Sequence, residues 1–201
     1  MSYEEFAEAG VATVYEAYGR RGLLDVELFP LTAGRRVAGP ARIALCGQND
    51  NRAVHEVMTH LRPGEILVLT MPEAAPVALF GDLLATQAQT AGAAGVLVNA
   101  AVRDSADLAL PVWTRWRRAT GATKNERGSV NVPVTIGGTR IEPGDVLVLD
   151  DDGATAVVKS DVDSALVAVR ERIAKEDGLR KRWAAGEFSY DAYGMRVEDE
   201  S

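Results

Sequence analysis

The chain has few of the residues that zinc, disulfide and redox sites require. Its 201 residues include one cysteine, Cys46, and two histidines, His55 and His60. A single cysteine can form neither an internal disulfide nor a zinc framework of thiolates. The two histidines are five positions apart, about 140° around a helix, so they do not share one face as an i, i+4 metal-binding pair does. We therefore exclude an internal disulfide and a zinc site built from thiolates, and a reducing cytoplasm fits the chain.

Long hydrophobic runs and an excess of positive charge are also absent. No apolar run approaches the length of a membrane span, and the N-terminal sequence MSYEEFAEAG is acidic and lacks the pattern of a signal peptide. The formal net charge of −7 repels a phosphate backbone unless a local basic patch overrides it. We expect a cytoplasmic protein whose partners include neither nucleic acid nor a membrane.

The first half of the chain alternates helical and strand patterns. Helices are expected over residues 3–19, from Asp50 or Asn51 to Leu61, and over 82–91, because their apolar residues recur at helical spacing or follow a capping residue. Three short apolar runs read as strands and lie at 41–46, 66–71 and 95–99. This alternation predicts right-handed crossovers and a parallel sheet.

The second half changes character. Residues 129–158 contain short apolar or alternating segments separated by Gly-Gly, Pro-Gly-Asp and Asp-Asp-Gly turns, which predicts antiparallel hairpins. Residues 161–185 read as one long helix, with Gly178 as the place for an interruption. The composition, 47% hydrophobic and 25% charged, is that of one globular domain. We predict a single α/β domain over 1–201, with a central mixed sheet and helices packed on it.

Two acidic residues, Asp82 and Asp104, follow successive strands of the predicted parallel sheet. The residues after parallel strands emerge at one carboxyl edge, where open α/β sheets bind ligands. A helix that begins at Gly81 leaves backbone N–H groups free and presents its positive end there. Arg103 adds a planar fork of donors suited to a carboxylate or an enolate oxygen. The edge thus offers carboxylates for a hard cation and donors for an oxyanion, although a plain helix cap and a surface ion pair explain the same spacing.

The segment WTRWRRATGATK at 113–124 interleaves tryptophan with basic residues. Such interleaving can bind single-stranded nucleic acid, but the rim of a strand is the favoured interpretation. A third interpretation has Arg117 or Arg118 meet the distal carboxylate of a di- or tricarboxylic substrate.

Asp150 to Asp152 are predicted to form a hairpin turn rather than a calcium loop. Lys159, if buried, could form a Schiff base, which is a weaker explanation of the site than the acidic pair.

Several motifs in one order resemble the RraA-like family. GDLLA at 81–85, the G-x-x-G at 92–95 and RD at 103–104 resemble its signature. This family includes 4-hydroxy-4-methyl-2-oxoglutarate and 4-carboxy-4-hydroxy-2-oxoadipate aldolases. The other matching pieces are TVYEAYGRRGLLD at 13–25, AGPAR at 38–42, DN and VHE within 50–56, RPGEILVLT at 62–70, NVPVTIGG at 131–138, PGDVLVLDDDG at 143–153 and YDAYGMR at 190–196. The resemblance covers nearly the whole chain.

The resemblance implies a swivelling β/β/α-like fold and a metal-dependent lyase. Its reaction would cleave 4-hydroxy-2-oxo acids to pyruvate and a second carbonyl product through a pyruvate enolate, and oxaloacetate decarboxylation would use the same enolate. By this resemblance, Asp104 coordinates Mg²⁺ or Mn²⁺ and Asp82 holds a metal-bound water. Gly81, the amides of Leu83 and Leu84 and the side chain of Arg103 then bind the 2-oxo acid.

The C-terminal segment KRWAAGEFSYDAYGMR at 181–196 extends beyond the point where ribonuclease regulators of the family stop. It resembles the aldolase branch, whose tail reaches a neighbouring subunit's site. The resemblance implies a homotrimer or hexamer in which the helix and tail over 161–201 contact a neighbour and Glu187 enters its site. A solvated Glu187, and a non-catalytic regulator of a ribonuclease, are the alternatives.

One segment departs from the family pattern. Asn99-Ala100-Ala101 stands where members often have glycine. We expect these residues to lie where the pocket touches substrate and to narrow it.

Overall fold

The computed structural model describes residues 3–195, and Arg196, the last residue of the motif YDAYGMR, lies outside them. The helices are α1 (Glu4–Ala17), α2 (Arg52–Met58), α3 (Asp82–Thr90), α4 (Val162–Ala184) and α5 (Ser189–Ala192). The strands are β1 (Phe29–Pro30), β2 (Val37–Leu45), β3 (Ile66–Thr70), β4 (Ala78–Phe80), β5 (Gly95–Val102), β6 (Val112–Arg117), β7 (Ser129–Val130), β8 (Val134–Ile136), β9 (Thr139–Ile141), β10 (Val146–Asp150) and β11 (Gly153–Val157). A short 3₁₀ turn, Lys159–Asp161, precedes α4.

A mixed sheet organises the molecule. Its strand order is β1-β6-β5-β3-β2-β10-β11, with β4 added to β5 and β7 added to β2. Strands β2, β3, β5 and β6 are parallel, as buried crossover strands are expected to be. The hairpin β10–β11 joins β2 in the antiparallel sense, and β8–β9 forms a separate hairpin. The α/β class is confirmed, with parallel units in the first half and antiparallel strands in the second.

The end of β5 has a different neighbour on each side. On one side β5 pairs with β3 over residues 95–98 and with β4 at Ala101 and Val102. On the other side β6 pairs with β5 as far as Val102 opposite Arg117, after a register shift. The carboxyl ends of β4 and β6 therefore flank the carboxyl end of β5, and this arrangement positions the site described below.

The core lies in three clusters around the sheet. Helices α2 and α3 pack on one face against β3 and β5. The opposite face is covered by β8, β9 and β10, and it buries Trp113, whose indole N–H donates to the carbonyl oxygen of Asp150 at 2.7 Å. Helix α1 and the first half of α4 cover β10 and β11. Each large apolar side chain buried in this way stabilises the fold by about 1.5–3 kcal/mol.

Two element boundaries differ from those predicted. Strand β2 begins at Val37, four residues before the predicted strand at 41–46, and it contains Gly39 and Pro40. These residues pair only with β10, so the missing N–H of Pro40 leaves no bond to β3 unmade. Helix α2 ends at Met58 rather than Leu61.

Two predicted helices differ in continuity. Helix α1 is broken at Gly10, where φ is +79°, a conformation that favours glycine. There the Val11 amide donates to the Asp150 carboxylate at 2.9 Å, a contact across 139 positions that no local pattern reveals. Helix α4, in contrast, runs through Gly178 without a break.

Candidate active site

A cavity of about 340 Å³ opens at the carboxyl ends of β4 and β5. The structure brings six of the predicted site residues to its wall, namely Gly81, Asp82, Leu83, Leu84, Arg103 and Asp104. Residues that the sequence interpretation did not assign to the site also line it, among them Asn51, Asp107, Gly121 and Lys124. The wall therefore combines three carboxylates, two cations and the start of a helix.

Helix α3 contributes free backbone donors to this cavity. Its first hydrogen bond runs from the Ala85 amide to the Gly81 carbonyl oxygen at 2.9 Å, so the amides of Asp82, Leu83 and Leu84 precede the helical ladder. The Asp82 amide donates to Asp104 Oδ2 at 3.4 Å, so the free donors of this helix start are the amides of Leu83 and Leu84. Amides at a helix start carry a partial positive charge, so this end of α3 favours an anion.

Gly81 permits the close approach of β4 and β5 at this point. Its backbone is extended, which any residue can adopt. However, a Cβ atom there would lie 2.9 Å from Asp104 Oδ2 and 3.0 Å from Arg103 Cγ. Glycine at position 81 therefore lets the helix start, the carboxylate and the guanidinium converge.

Asp104 sits in the left-handed region with φ of +55°. Non-glycine residues rarely adopt this conformation, and aspartate and asparagine tolerate it best. Its side chain is 45% exposed, and its ion pair with Arg103 is long, 3.6 Å from Nε to Oδ2. The carboxylate is thus presented to the cavity with most of its acceptor capacity free for a ligand.

The carboxylates of the cavity suit a hard cation that keeps water in its shell. Within residues 3–195 no group of three or more His, Cys, Asp or Glu side chains could hold a metal by itself. One or two carboxylates completed by water and substrate oxygens is the arrangement typical of Mg²⁺. Asp104 and the neighbouring Asp82 fit that arrangement. They are too few to form a cation site made of protein ligands alone.

Asn51 is a site residue whose role the sequence did not reveal. It is 7% exposed, and its side-chain amide donates to the Leu79 carbonyl oxygen at 3.1 Å. Its Oδ1 atom has no hydrogen-bond partner among the described residues. Asn51 was predicted only as one of two possible caps for α2, and its side chain makes no capping hydrogen bond. An unpaired buried acceptor costs free energy, so its position beside a cavity is unusual.

Asp50 connects the start of α2 to the loop that carries Lys124. It is 1% exposed, and its Oδ2 accepts hydrogen bonds from the Thr123 hydroxyl and the Asn125 amide, each at 2.6 Å. Its Oδ1 accepts from the Arg52 amide at 2.9 Å. Burial alone would raise the pKa of Asp50, but these hydrogen bonds outweigh it and lower the pKa to about 2.

We expect Asp50→Asn to destabilise the fold by roughly 2 kcal/mol at neutral pH, because an amide leaves at least one of these buried donors without an acceptor. The folded pKa of about 2 lies below the ordinary aspartate value of 3.8, so the stabilisation by the ionised carboxylate is complete above pH 3.8. It is lost as the pH falls toward 2. Urea unfolding of both proteins between pH 7 and pH 2.5 measures the difference. A gap that did not narrow below pH 4 would contradict the assignment.

A second cavity of about 450 Å³ adjoins the first on the β6 side. It shares Arg103 and Asp104 with the first cavity and adds Arg117 and Arg118. The Arg118 amide donates to the Val102 carbonyl oxygen at 3.0 Å, which fixes the end of β6 beside the end of β5.

The prediction that Asn99-Ala100-Ala101 touches substrate is wrong. Strand β5 continues to Val102, three residues beyond the predicted end, so these residues lie inside the sheet. All three are buried, none lines either cavity, and the Asn99 amide group donates to Thr70 Oγ1 at 3.0 Å. The methyl groups of Ala100 and Ala101 therefore do not narrow the pocket.

Glu187 lies in the segment after α4 and lines neither cavity of its own chain. Its carboxylate pairs with Arg182, whose hydrogen bond lowers the pKa of Glu187. Its contribution to a neighbouring subunit stays a prediction.

Other candidate groups are placed away from this chemistry. Lys159 is exposed on the turn after β11, so it lacks the buried setting that a Schiff-base lysine needs. Cys46 is buried, and burial raises the pKa of its thiol to about 12. Asp150–Asp152 form the β10–β11 turn, as predicted. Arg115 stacks on Trp116 with its Cζ 4.5 Å from the ring centroid, at the rim of β6.

No helix within residues 3–195 has both the length and the apolar character needed to cross a membrane.

The RraA-like family model, described as Aldolase/RraA, matches residues 11–156. The chain belongs to the RraA-like family. It is 31% identical over 167 residues, 82% of this chain and 80% of the relative, to a Halalkalibacterium halodurans protein named "Putative 4-hydroxy-4-methyl-2-oxoglutarate aldolase".

Solved structures of RraA-like proteins share this fold. RraAS2 of Streptomyces coelicolor, titled an unusual member of the RNase ES inhibitor RraA protein family, is 27% identical with a TM-score of 0.78, covering 89% of this chain and 96% of that chain. The RNA-processing inhibitor RraA from Thermus thermophilis is 29% identical with a TM-score of 0.65, covering 73% and 90%. The relatives therefore carry two kinds of name, an aldolase and an inhibitor of RNA processing.

Proposed function

We propose that this RraA-like protein is a divalent-metal-dependent lyase that cleaves 4-hydroxy-2-oxo di- or tricarboxylic acids to pyruvate and a second carbonyl compound. One observation carries the proposal. The free amides at the start of α3, the Arg103 guanidinium and the Asp104 carboxylate face one cavity at the end of two parallel strands. The amides and the guanidinium are donors suited to a 2-oxo carboxylate. The carboxylate is a hard ligand suited to a divalent cation.

The residues present fit a divalent cation, with Asp104 as its ligand and Asp82 orienting water beside it. When bound, Mg²⁺ or Mn²⁺ would supply Lewis-acid stabilisation of the negative charge that develops on the C2 oxygen. The chain's own groups add to this stabilisation from fixed positions.

The substrate's pyruvyl end would be held by the start of α3. The amides of Leu83 and Leu84 would donate to the C1 carboxylate, as helix starts bind anions. Arg103 would donate to the C2 oxygen, so its hydrogen bonds strengthen as that oxygen gains charge. These groups are preorganised in the fold, since Gly81 brings the strand end and the helix start together.

The bond that breaks joins C3 and C4. Its electron pair becomes the C2–C3 double bond and the π pair of the C2 carbonyl moves to oxygen, which gives the enolate of pyruvate, while the 4-hydroxyl loses its proton and becomes a carbonyl. Asp82 would receive that proton through one water, because its carboxylate lines the cavity beside Asp104. Protonation of the enolate at C3 then gives pyruvate. Oxaloacetate, which releases CO₂ from C4, would pass through the same enolate in the same place.

We also propose a homotrimer or hexamer in which the tail of one subunit reaches a neighbour's cavity. Three side chains support this proposal because they are large, apolar and exposed in the segment that contains Glu187. Trp183, Phe188 and Tyr193 are 40%, 72% and 54% exposed. Large apolar surface of this kind is typical of contacts between subunits.

The test is pyruvate release from 4-hydroxy-4-methyl-2-oxoglutarate and oxaloacetate, before and after exhaustive chelation and with Mg²⁺ or Mn²⁺ restored. We expect activity that chelation abolishes and either cation restores. Activity that survives metal removal and is trapped by borohydride would overturn the metal mechanism in favour of a lysine Schiff base.

A non-catalytic regulator of a ribonuclease is the second candidate. The similarity to the Streptomyces and Thermus RraA structures favours it. Absence of turnover on a panel of 2-oxo acids, together with tight binding to a ribonuclease, would establish it instead of the lyase.

Gly81→Ala should lower turnover by about tenfold to a hundredfold, because its Cβ displaces Asp104 and Arg103 and small displacements of catalytic groups cost about that much. The free energy of unfolding should fall by no more than about 1 kcal/mol, the typical effect of alanine at a helix cap. Gly178→Ala is the matched control, since nothing lies within 4 Å of its Cβ position. Steady-state kinetics and urea unfolding measure both effects, and a Gly81→Ala enzyme with wild-type turnover would contradict the proposed geometry.

A further inference from the structure

The second cavity contains an arginine pair that the chemistry proposed above does not use. Arg117 is the last residue of β6 and Arg118 follows it, and both line this cavity together with Arg103, Asp104 and Ser105. Neither guanidinium forms an ion pair with any residue in the described range 3–195, although acidic residues outnumber basic ones in the chain. Within residues 3–195 the guanidinium of Arg118 donates only to the Arg117 carbonyl oxygen, at 2.9 Å.

The topology sets the two cavities on opposite sides of one strand end. β4, which leads into Asp82 and α3, pairs with one edge of β5, and β6 pairs with the other edge. Arg103 and Asp104 follow β5 and belong to both cavities. A molecule bound at Arg103 and Asp104 by its 2-oxo acid end, with that end toward α3, can therefore extend toward Arg117 and Arg118.

The charges indicate what the second cavity would accept. Three arginines face one carboxylate in it, and that carboxylate is the proposed cation ligand, so the cavity carries an excess of positive charge. Guanidinium groups bind carboxylates through paired hydrogen bonds.

We propose that Arg117 and Arg118 form the subsite for the distal carboxylate of the substrate, on the half of the molecule that leaves as the second carbonyl product. This inference rests on the proposed lyase function. It makes these arginines specificity determinants, while the bond cleavage stays with the groups at the ends of β4 and β5. The preferred substrates are then 2-oxo acids with a second carboxylate on the far side of the bond that breaks.

The first test is binding, which does not depend on turnover. 2-Oxoglutarate and 2-oxopentanoate have chains of the same length and differ in the distal carboxylate. Calorimetric titration in the presence of Mg²⁺ should show wild type binding 2-oxoglutarate about tenfold to a hundredfold more tightly, the range expected of a charge-assisted hydrogen bond. The variant carrying both Arg117→Gln and Arg118→Gln should lose that preference and keep its affinity for 2-oxopentanoate. Arg115→Gln is the matched control, because Arg115 lies on the same strand and lines neither cavity.

The second test is turnover with two substrates. The same double variant should lose about tenfold to a hundredfold in kcat/KM for 4-hydroxy-4-methyl-2-oxoglutarate and stay within about threefold of wild type for 4-hydroxy-2-oxopentanoate, which has no distal carboxylate. Equal binding of the two ligands by wild type, or equal losses on both substrates, would overturn the subsite. A wild type that discriminates between the ligands but releases no pyruvate would overturn the lyase and leave the subsite standing, so the two failures are distinguishable.

Discussion

Asp104→Asn should abolish metal-dependent turnover, with a loss of at least about a thousandfold. The change removes one negative charge from the proposed cation ligand, and an amide oxygen is a much weaker ligand for Mg²⁺ than a carboxylate. Loss of both cation binding and oxyanion stabilisation should exceed the roughly two to three decades typical of one lost oxyanion donor. Asparagine is the appropriate replacement because it tolerates the positive φ of this position.

The backbone and the carboxylate can be separated with a second substitution. Asp104→Ala removes the ligand equally but places alanine at φ of +55°, which costs about 1–2 kcal/mol. The two variants should be equally inactive, and only the alanine variant should lose stability in urea. Mn²⁺ titration by calorimetry should show cation binding in wild type and in neither variant. Wild-type rates or Mn²⁺ affinity in the asparagine variant would refute the assignment of Asp104.

Arg103→Lys is expected to lower kcat by about a hundredfold. Lysine keeps the charge but loses the planar fork of donors, so one or more hydrogen bonds to the developing oxyanion are not made. Removal of one such donor typically costs about 2.7–4 kcal/mol, and the retained charge should keep the effect near the lower figure.

The substitution should leave the fold intact. The Arg103 side chain is 52% exposed, and its ion pair with Asp104 is long, so the free energy of unfolding should change by less than about 0.5 kcal/mol. Arg115→Lys on β6 is the control for replacement of an arginine in this part of the surface. A coupled assay for pyruvate separates kcat from KM. If Arg103→Lys raised KM and left kcat unchanged, Arg103 would bind the ground state and not the developing charge.

The sequence predicted the start of α3 and the parallel order of the strands around the site. Asp82 and Asp104 follow apolar runs whose burial could be read from composition, and the parallel order of such runs brings their carboxyl ends together. The same reasoning stopped β5 too early, at Asn99. A polar residue and two alanines are typical of the end of a strand, and the pattern could not show that the buried Asn99 side chain donates to Thr70 on β3.

The contributions of Asn51 and Lys124 could not be predicted for a related reason. Lys124 reaches the cavity because Asp50 holds the following residue, Asn125, through a hydrogen bond across 75 positions. Hydrophobic periodicity gives the local element and its buried face, but it contains no information on which distant loop a buried carboxylate will anchor. Contacts of this kind arise from tertiary packing alone.

Under the proposed function, the two cavities beside the end of β5 would have different tasks, carried out by different parts of the chain. Residues just after β5 and at the start of α3 would perform the bond cleavage, and Arg117 and Arg118 at the end of β6 would recognise the remainder of the molecule. Replacement of these two arginines would therefore change the preference to substrates whose distal group is uncharged or cationic, without any change to the reaction centre. Substitutions at the end of one strand could therefore change the substrate preference of this fold while the reaction stayed the same.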